Sequence, residues 1–520
     1  MLADEIYRKI HHVKKSMYNQ DYYTLRNQCL LSGKLFEDEF FPATSQSLYK
    51  KDSEFLHGTK DPYFNEWLRP KQICKDPQFF KNGFSTDDIK QGYCKDCWFL
   101  AAITNLTSNK KKFSEVVRGD NSFENNYAGI FHFKFWQYGE WIDVVIDDRL
   151  PTFKAADGKI KLSYASSSDQ DEFWSALLEK AFAKLHGSYE ALGISGTYCE
   201  AAEDMTSGVC QKFCLKDKEN CLKFHKCCTY NSINFCQLEN FFNMGNFMSC
   251  FIRLPQEAQK AQKAQERKTK ENLVMGHSFA ITKIARTTNG DQLIQLKNPW
   301  GRYEWNGAWS DDSETWKNTS EALKTGLGYK NANDGYFFIS YEDFHKYFDV
   351  IEICFLKFPY SLLKVESQMK CFVSIARKDP RLFPIDKETT NHLLTFKLNI
   401  AETICFEDFK KMINFAAYHG EPIMKKQNCQ AKFCQRCPRF YDQWNGSQMD
   451  IYRIISREEE FYIRIYFCCV SHNDLIILKC IAVHIRIIGN CVELYKSKCT
   501  KIEVDSYMTR LINIRDKELN

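Results

Sequence analysis

No stretch of this 520-residue chain comes near the roughly 20 apolar residues that a membrane-spanning helix needs. The most apolar region, Phe461 to Ile488, is broken by Arg464, Asp474 and Lys479. Charge of one sign is also lacking. With 71 basic against 66 acidic side chains, the net +5 is too mild to indicate nucleic acid or a membrane surface as partner. The first residues, MLADEIYRKIHHVKKS, put Asp4 and Glu5 among several bases before any apolar run, so no secretory signal is visible. No repeat of solenoid period occurs. These absences point to a soluble cytoplasmic protein in a reducing compartment. There the 23 cysteines are mostly free thiols, and the sequons at Asn105, Asn318 and Asn445 carry no meaning.

What is present is core-forming material. The hydrophobic fraction is 44% and aromatics make up 15%, which excludes a disordered or collagen-like chain. A mass of 61.1 kDa exceeds one hydrophobic core, so about three domains are expected.

Local pattern divides the chain. Cys97 to Ile103 is a continuous apolar run that reads as a buried helix with Asp96 near its start. Asn126 to Leu150 alternates apolar and polar residues around Gly139 and reads as two antiparallel strands. Glu172 to Leu185 has helical apolar spacing and reads as an amphipathic helix. The small, polar stretch from Gly196 to Gly208 reads as a boundary. Pro255 to Asn272 has no large apolar residue and reads as a solvated helix or exposed loop. His277 to Ile284, Leu293 to Lys297 and Tyr336 to Ile339 read as strands. Beyond Pro359, β-branched runs such as Tyr462 to Phe467 suggest a β-rich last domain.

Chemistry gathers at three distant segments. Cys97 stands at a helix start, where the positive end of the dipole favours a thiolate. Taken alone it is a small buried hydrophobe, as most cysteines are. His277 opens one strand, in Gly276-His277-Ser278, and Asn298 ends the next, in Lys297-Asn298-Pro299-Trp300-Gly301. A cysteine followed far downstream by histidine and asparagine is the order of a thiol protease. In that chemistry His277 deprotonates Cys97, and Asn298 orients the imidazole. Gln91 and the Cys97 N–H stabilise the oxyanion, and Trp300 shields the His–Asn bond from water.

These segments, QGYCKDCWFLAAITNL, GHSFAIT and LKNPWG, resemble the active-site segments of the calpains, calcium-dependent intracellular cysteine proteases. So do NYAGIFHFKFWQYGEWIDVVIDDRLP, EFWSALLEKAFAKLHGSYEAL, EWNGAWSDDSETW and DGYFFISYEDFHKYFDVIEIC, and the resemblance runs from about residue 20 to about 356. LFEDEFFPATSQSLY and EWNGAWSDDSE are most similar to the calpains that lack EF-hands. The resemblance implies an α+β fold with a papain-like two-lobed core. Residues 21–205 would carry the catalytic cysteine and 206–355 the histidine and asparagine. They would follow an N-terminal segment, 1–20, and precede a divergent β-sandwich domain, 356–520.

The resemblance also implies calcium. In the first lobe the ligands would be the backbone oxygens near Lys81 and Gly83 with the carboxylates of Asp88 and Glu172. In the second they would be Glu304, Asp311, Asp334 and the backbone oxygen of Ala332. Hard oxygen donors from separate segments suit that ion. Two departures stand out. An acid of the second site is Tyr336 here and its lobe-joining arginine partner is Thr86, so both members of a charged pair are missing. The Leu-Gly that usually precedes Asp-Cys is Cys94-Lys95, which sets a long cation where glycine admits the substrate backbone. No D-x-[DN]-x-[DN]-G loop occurs, so an EF-hand small subunit is not expected as a partner.

The expected activity is limited proteolysis of intracellular proteins by a monomer. Peripheral phospholipid contact of the last domain is compatible with the sequence. The rival reading is a calpain-like scaffold that binds and cleaves little. A thiol redox protein built on Cys94 and Cys97 is a third, with the strand–helix context of such enzymes absent. Within the protease reading, mild oxidation is expected to join Cys94 and Cys97 in a disulfide that silences the enzyme. Cys429, Cys434 and Cys437 would need a fourth zinc ligand, for which His419 or Cys468 is a guess, and read as structural thiols.

Overall fold

The structure is a computed structural model that describes residues 15–50, 53–57, 59–137, 140–194, 196–216, 233–255 and 267–356. Between 368 and 515 it gives the backbone course of eight strands. The chain forms two compact units. The first holds Met1–Gln137, Trp141–Thr206 and Asn234–Ile351; the second holds Tyr138–Glu140, Ser207–Ile233 and Glu352–Asn520.

In the first unit, helix α1 (Tyr22–Ser32) starts where the Asp21 carboxylate accepts the Thr24 N–H and stops at Gly33 in the left-handed conformation. Helix α2 (Cys97–Thr107) follows from the apolar run, and every residue from Cys97 to Leu106 is buried. Its buried amide, Asn105, is satisfied by the Tyr198 hydroxyl at 2.8 Å and the Met248 carbonyl at 2.6 Å. That burial agrees with reading its sequon as silent.

Strands β1 (Ile130–Gln137) and β2 (Glu140–Asp147) are neighbours in one sheet, and β3 (Leu150–Lys154) lies in another. Burial along β1 does not alternate, because both of its faces are covered. Helix α3 (Trp174–His186) departs from the amphipathic expectation in the same way, with all thirteen residues buried. Its cations are paired inside. Lys180 Nζ reaches Asp147 Oδ1 at 2.7 Å and the Arg149 carbonyl at 2.6 Å. Lys184 Nζ reaches Asp38 at 2.6 Å, Gln20 at 2.5 Å and the Val145 carbonyl at 2.6 Å. The expected boundary at 196–208 is instead largely helix α4 (Tyr198–Thr206), which is buried and packs on α2 and β1.

An antiparallel sheet completes the unit, with strands β4 (Phe247–Ile252), β5 (His277–Arg286), β6 (Gln292–Lys297) and β7 (Tyr336–Ser340). β5 is central. It pairs His277 with Ile252 on one side and Ala280 with Lys297 on the other, while β7 adds Tyr336 opposite Lys297. Helix α2 packs against β5 and β4.

In the second unit, the eight strands beyond residue 367 pair into two four-stranded sheets. The segments Met369 to Arg377 and Met449 to Arg453 belong to adjacent antiparallel strands, with Met369 opposite Ile455 and Ile375 opposite Met449. His419, Cys429, Cys434 and Cys437 lie outside the described residues, as does 256–266 of the polar segment. No helix among the described residues is long and apolar enough to cross a membrane.

Candidate active site

Backbone geometry fixes the histidine–asparagine pair. His277 is the first residue of β5 and follows Gly276, whose φ of +76° turns the chain into the strand. Asn298 follows the last residue of β6. The Ala280–Lys297 register therefore brings the two to the same end of adjacent strands, although 21 positions separate them. His277 Nε2 lies 2.8 Å from Asn298 Oδ1, and both side chains are fully buried. The Trp300 ring tilts against the imidazole with centroids 4.7 Å apart, and the Trp300 N–H donates to the same Asn298 oxygen at 3.0 Å. The Asn298 amide donates to the carbonyls of Arg302 at 2.7 Å and Tyr303 at 3.1 Å, which fixes its orientation.

The Asn298 N–H donates to the Gly335 carbonyl at 2.8 Å. A side chain cannot be added at Gly335. Its φ is +88°, and a Cβ there would stand 2.8 Å from both the Asn298 oxygen and the Gly301 Cα.

The cysteine side is built by packing. Cys97 opens α2, whose first N–H groups have no acceptor within the helix. Gln91 donates its side-chain amide to the Cys94 carbonyl at 2.6 Å, which leaves the second amide hydrogen for another acceptor. Its N–H donates to the Pro299 carbonyl at 3.0 Å. That bond, not foreseen from the motifs, ties the Gln91 segment directly to the Asn298 turn.

Cys94 gives no support to a Cys94–Cys97 disulfide. Both thiols are free, and the Cys94 thiol is buried and directed to the Tyr189 carbonyl at 3.4 Å. Burial, with Asp96 and Glu179 nearby, pushes it well above the ordinary thiol range. Glu179 is a further residue that the motifs did not mark. Burial first, then the charge and hydrogen bond of Asp96, hold its carboxyl well above the usual range.

The expected calcium ligands group as two acidic sites. Asp88 accepts from the Ser85 N–H at 2.6 Å and from Trp174 Nε1 at 3.2 Å. Glu172 accepts from the Lys81 N–H and from Ser167 Oγ, both at 2.7 Å. Burial pushes Glu172 up to about 7, with Asp88 adding to the shift and those two bonds opposing it. Gly83 turns the intervening chain with φ +98°. In the second group Glu304 accepts from the Gly335 N–H at 2.7 Å, Asp311 from the Ala332 N–H at 3.1 Å and Asp334 from the Tyr336 N–H at 2.9 Å. The Ala332 carbonyl takes the Asp334 N–H at 2.9 Å. Burial pushes Asp311 up to about 7, with Glu304 and Asp334 contributing.

Hard oxygen donors of this kind suit a dication, and burial raises Glu172, Glu304 and Asp311 above the usual carboxylate range. They are not converged: among the described residues no three acidic, imidazole or thiol groups meet at metal-binding distance. Each carboxylate is spent instead on a neighbouring N–H or hydroxyl. Where a charged pair was missing from the sequence, a neutral one stands. The Tyr336 hydroxyl is hydrogen-bonded to Thr86 Oγ1. Lys297 lies 4.1 Å above the Tyr336 ring and donates to the Asp334 carbonyl at 2.7 Å.

Comparison with known proteins gives a family match over most of the described region. The profile described as "Calpain family cysteine protease" matches residues 36–355. Calpain-A of Drosophila melanogaster is 44% identical over 343 residues, 64% of this chain and 38% of that protein. Human Calpain-9 is 42% identical over 339 residues, covering 64% and 45%. The mouse Calpain-2 catalytic subunit is 41% identical over 341 residues, covering 65% and 45%. The aligned part of the chain spans less than half the length of each of these relatives.

Proposed function

The chain belongs to the calpain family of cysteine proteases, and from that premise we propose that it is a calcium-regulated endopeptidase acting through Cys97, His277 and Asn298. The observation that carries the reading is the buried 2.8 Å His277–Asn298 bond beneath Trp300, on the strand against which the helix of Cys97 packs.

In this reading the Cys97 sulfur attacks the scissile carbonyl after His277 has taken its proton. His277 then returns a proton to the leaving amine, and water resolves the acyl-enzyme with the same imidazole as base. Asn298 keeps Nε2 engaged, which presents the other ring nitrogen to the chemistry. The free hydrogen of the Gln91 amide and the Cys97 N–H receive the oxyanion.

Asp88 and Glu172, with the carbonyls of Lys81 and Gly83, would hold one calcium. Glu304, Asp311 and Asp334, with the carbonyl of Ala332, would hold another. Bound there, the ion supplies counter-charge to acids that otherwise keep protons or cap backbone N–H groups. Residues 21–205 and 206–355 act as the two lobes whose alignment sets activity, and 356–520 as a divergent β-sandwich. The enzyme works on cytoplasmic proteins as a monomer, without an EF-hand subunit.

The test is a calcium titration with a fluorogenic peptide and an irreversible thiol electrophile, on wild type and Cys97→Ser. Calcium-dependent turnover and labelling, both lost in Cys97→Ser, is the expected result. Silence of a folded wild type at every calcium concentration would overturn it and favour the binding scaffold.

A further inference from the structure

The leaving-group side of the scissile bond is the side of His277, because the imidazole hands its proton to the departing amine. The structure continues outward from His277 through aromatic rings. Trp300 lies against the imidazole, and Tyr303 lies 5.7 Å from Trp300, edge to face. The Tyr303 ring then carries two cations. Lys268 Nζ is 3.2 Å from its centre and the Arg302 guanidinium carbon is 5.0 Å from it.

Both cations are tied to the catalytic pair. Asn298 itself donates to the carbonyls of Arg302 and Tyr303. Lys268 sits opposite Val274 in the short hairpin Arg267–Lys268/Val274–Met275, which leads straight into Gly276 and His277. The two loops are also bonded to each other. Asn272 donates to the Glu304 carbonyl at 2.9 Å and Asn306 to the Lys270 carbonyl at 3.3 Å.

Among the described residues no carboxylate lies within ion-pairing distance of Lys268 or Arg302, and both side chains are exposed. Their charge shows on the phenol: Lys268, then Arg302, holds the Tyr303 hydroxyl below its ordinary range.

We propose that Lys268 and Arg302, set on the Tyr303 ring, form a specificity subsite for one acidic side chain on the leaving-group side of the scissile bond. The inference rests on the protease reading above. An extended peptide advances ~3.3 Å per residue, so the steps from imidazole to ammonium cover the second to fourth residue after the bond. The selection stops at one acid. Arg302 and Tyr303 line a groove of about 820 Å³ that continues past Glu304, Asp311, Asp312 and Glu314, and these carboxylates repel a second one.

The experiment uses internally quenched peptides identical except for Glu, Gln or Lys at the second, third or fourth residue after the cleaved bond. At low salt the best Glu peptide is expected to exceed its Gln counterpart by ~3–10-fold in kcat/KM, with Lys lowest, as befits exposed charges. The ratio falls towards one in 0.5 M NaCl, since screening acts within ~4–5 Å there. In Lys268→Gln/Arg302→Gln the Glu:Gln ratio drops below twofold. A wild-type ratio below twofold at all three positions overturns the subsite while leaving the protease reading intact, and so does a ratio that survives in the double variant. If no peptide is cleaved at any calcium concentration, the same peptides are titrated onto Cys97→Ser by fluorescence anisotropy. Preferential binding of Glu peptides, lost in the Lys268/Arg302 double variant, then supports the subsite while the protease reading fails. Equal binding of all three removes both.

Discussion

Around Cys97 the chain is held by burial: α2 is covered from Cys97 to Leu106, and α3 is covered along its whole length. Around His277 the strand is buried as well, but the end that carries the pair is set by turns, namely Gly276, the 298–303 loop and Gly335, anchored by backbone hydrogen bonds. Burying one large apolar side chain contributes about 1.5–3 kcal/mol, whereas a single net hydrogen bond contributes about 1 kcal/mol. Damage on the cysteine side should therefore appear as lost stability, and damage on the histidine side as lost turnover by a folded protein.

The largest effect expected from this contrast lies in the buried charges of the cysteine side. His132 is enclosed by Asp143 at 3.0 Å and Asp120 at 3.0 Å, with the Tyr22 ring stacked on it at 3.7 Å. Burial alone would lower its basicity, but the two carboxylates override that and hold it up at about 9. Because the folded value is raised, the stabilisation is complete below about pH 6.5 and is lost as pH climbs through about 9. The amount is about 3 kcal/mol. Urea denaturation of wild type and His132→Gln should show a stability gap that narrows by that order between pH 6.5 and pH 10. A gap that stays constant would contradict a charged His132. Turnover per folded molecule at pH 7 should change less than twofold.

Gly335→Ala sharpens the other half. The new methyl meets the Asn298 carbonyl at a positive φ, so the strand end and the His277–Asn298 pair must shift. The cost in stability is about 1–3 kcal/mol, but kcat should fall at least ~10-fold, because sub-ångström misplacement of catalytic groups is expensive. Full activity in the folded variant would show that the turn does not position the pair.

The sequence revealed the parts governed by local pattern. The apolar run at Cys97 and the three strand runs at 277, 293 and 336 became α2, β5, β6 and β7 because side-chain period follows backbone geometry. The Cys, His and Asn order was visible for the same reason, since each residue sits at the end of a legible element. Partners far apart in sequence were not visible. Lys180 and Lys184 made α3 look half solvated, because Asp147 and Asp38 lie 33 and 146 positions away. The small residues of 196–208 resembled a linker although Tyr198 and Met205 are fully buried. The Cys94-x-x-Cys97 spacing suggested redox chemistry, and only the Tyr189 carbonyl shows where the first sulfur is committed. Lys268 and Tyr303 meet across 35 positions with nothing in either segment to announce it.

The smallest predicted effect concerns the neutral bond between Thr86 and Tyr336, which joins a segment of the cysteine side to the strand beside Asn298. A hydroxyl pair carries no net charge, so its strength should not depend on ionic strength, unlike that of an ion pair at the same place. Removing it in Tyr336→Phe leaves the ring under Lys297 and deletes only the hydrogen bond, at about 1 kcal/mol. If that bond couples the two acidic groups, the calcium midpoint for peptide cleavage should move by ~2–5-fold with the maximal rate retained. The shift should be the same in 50 mM and 300 mM salt. A shift that vanishes at the higher salt would mean that charge, not the hydroxyl, joins the halves. An unchanged midpoint at both would mean that other contacts, the Gln91–Pro299 backbone bond among them, carry the connection.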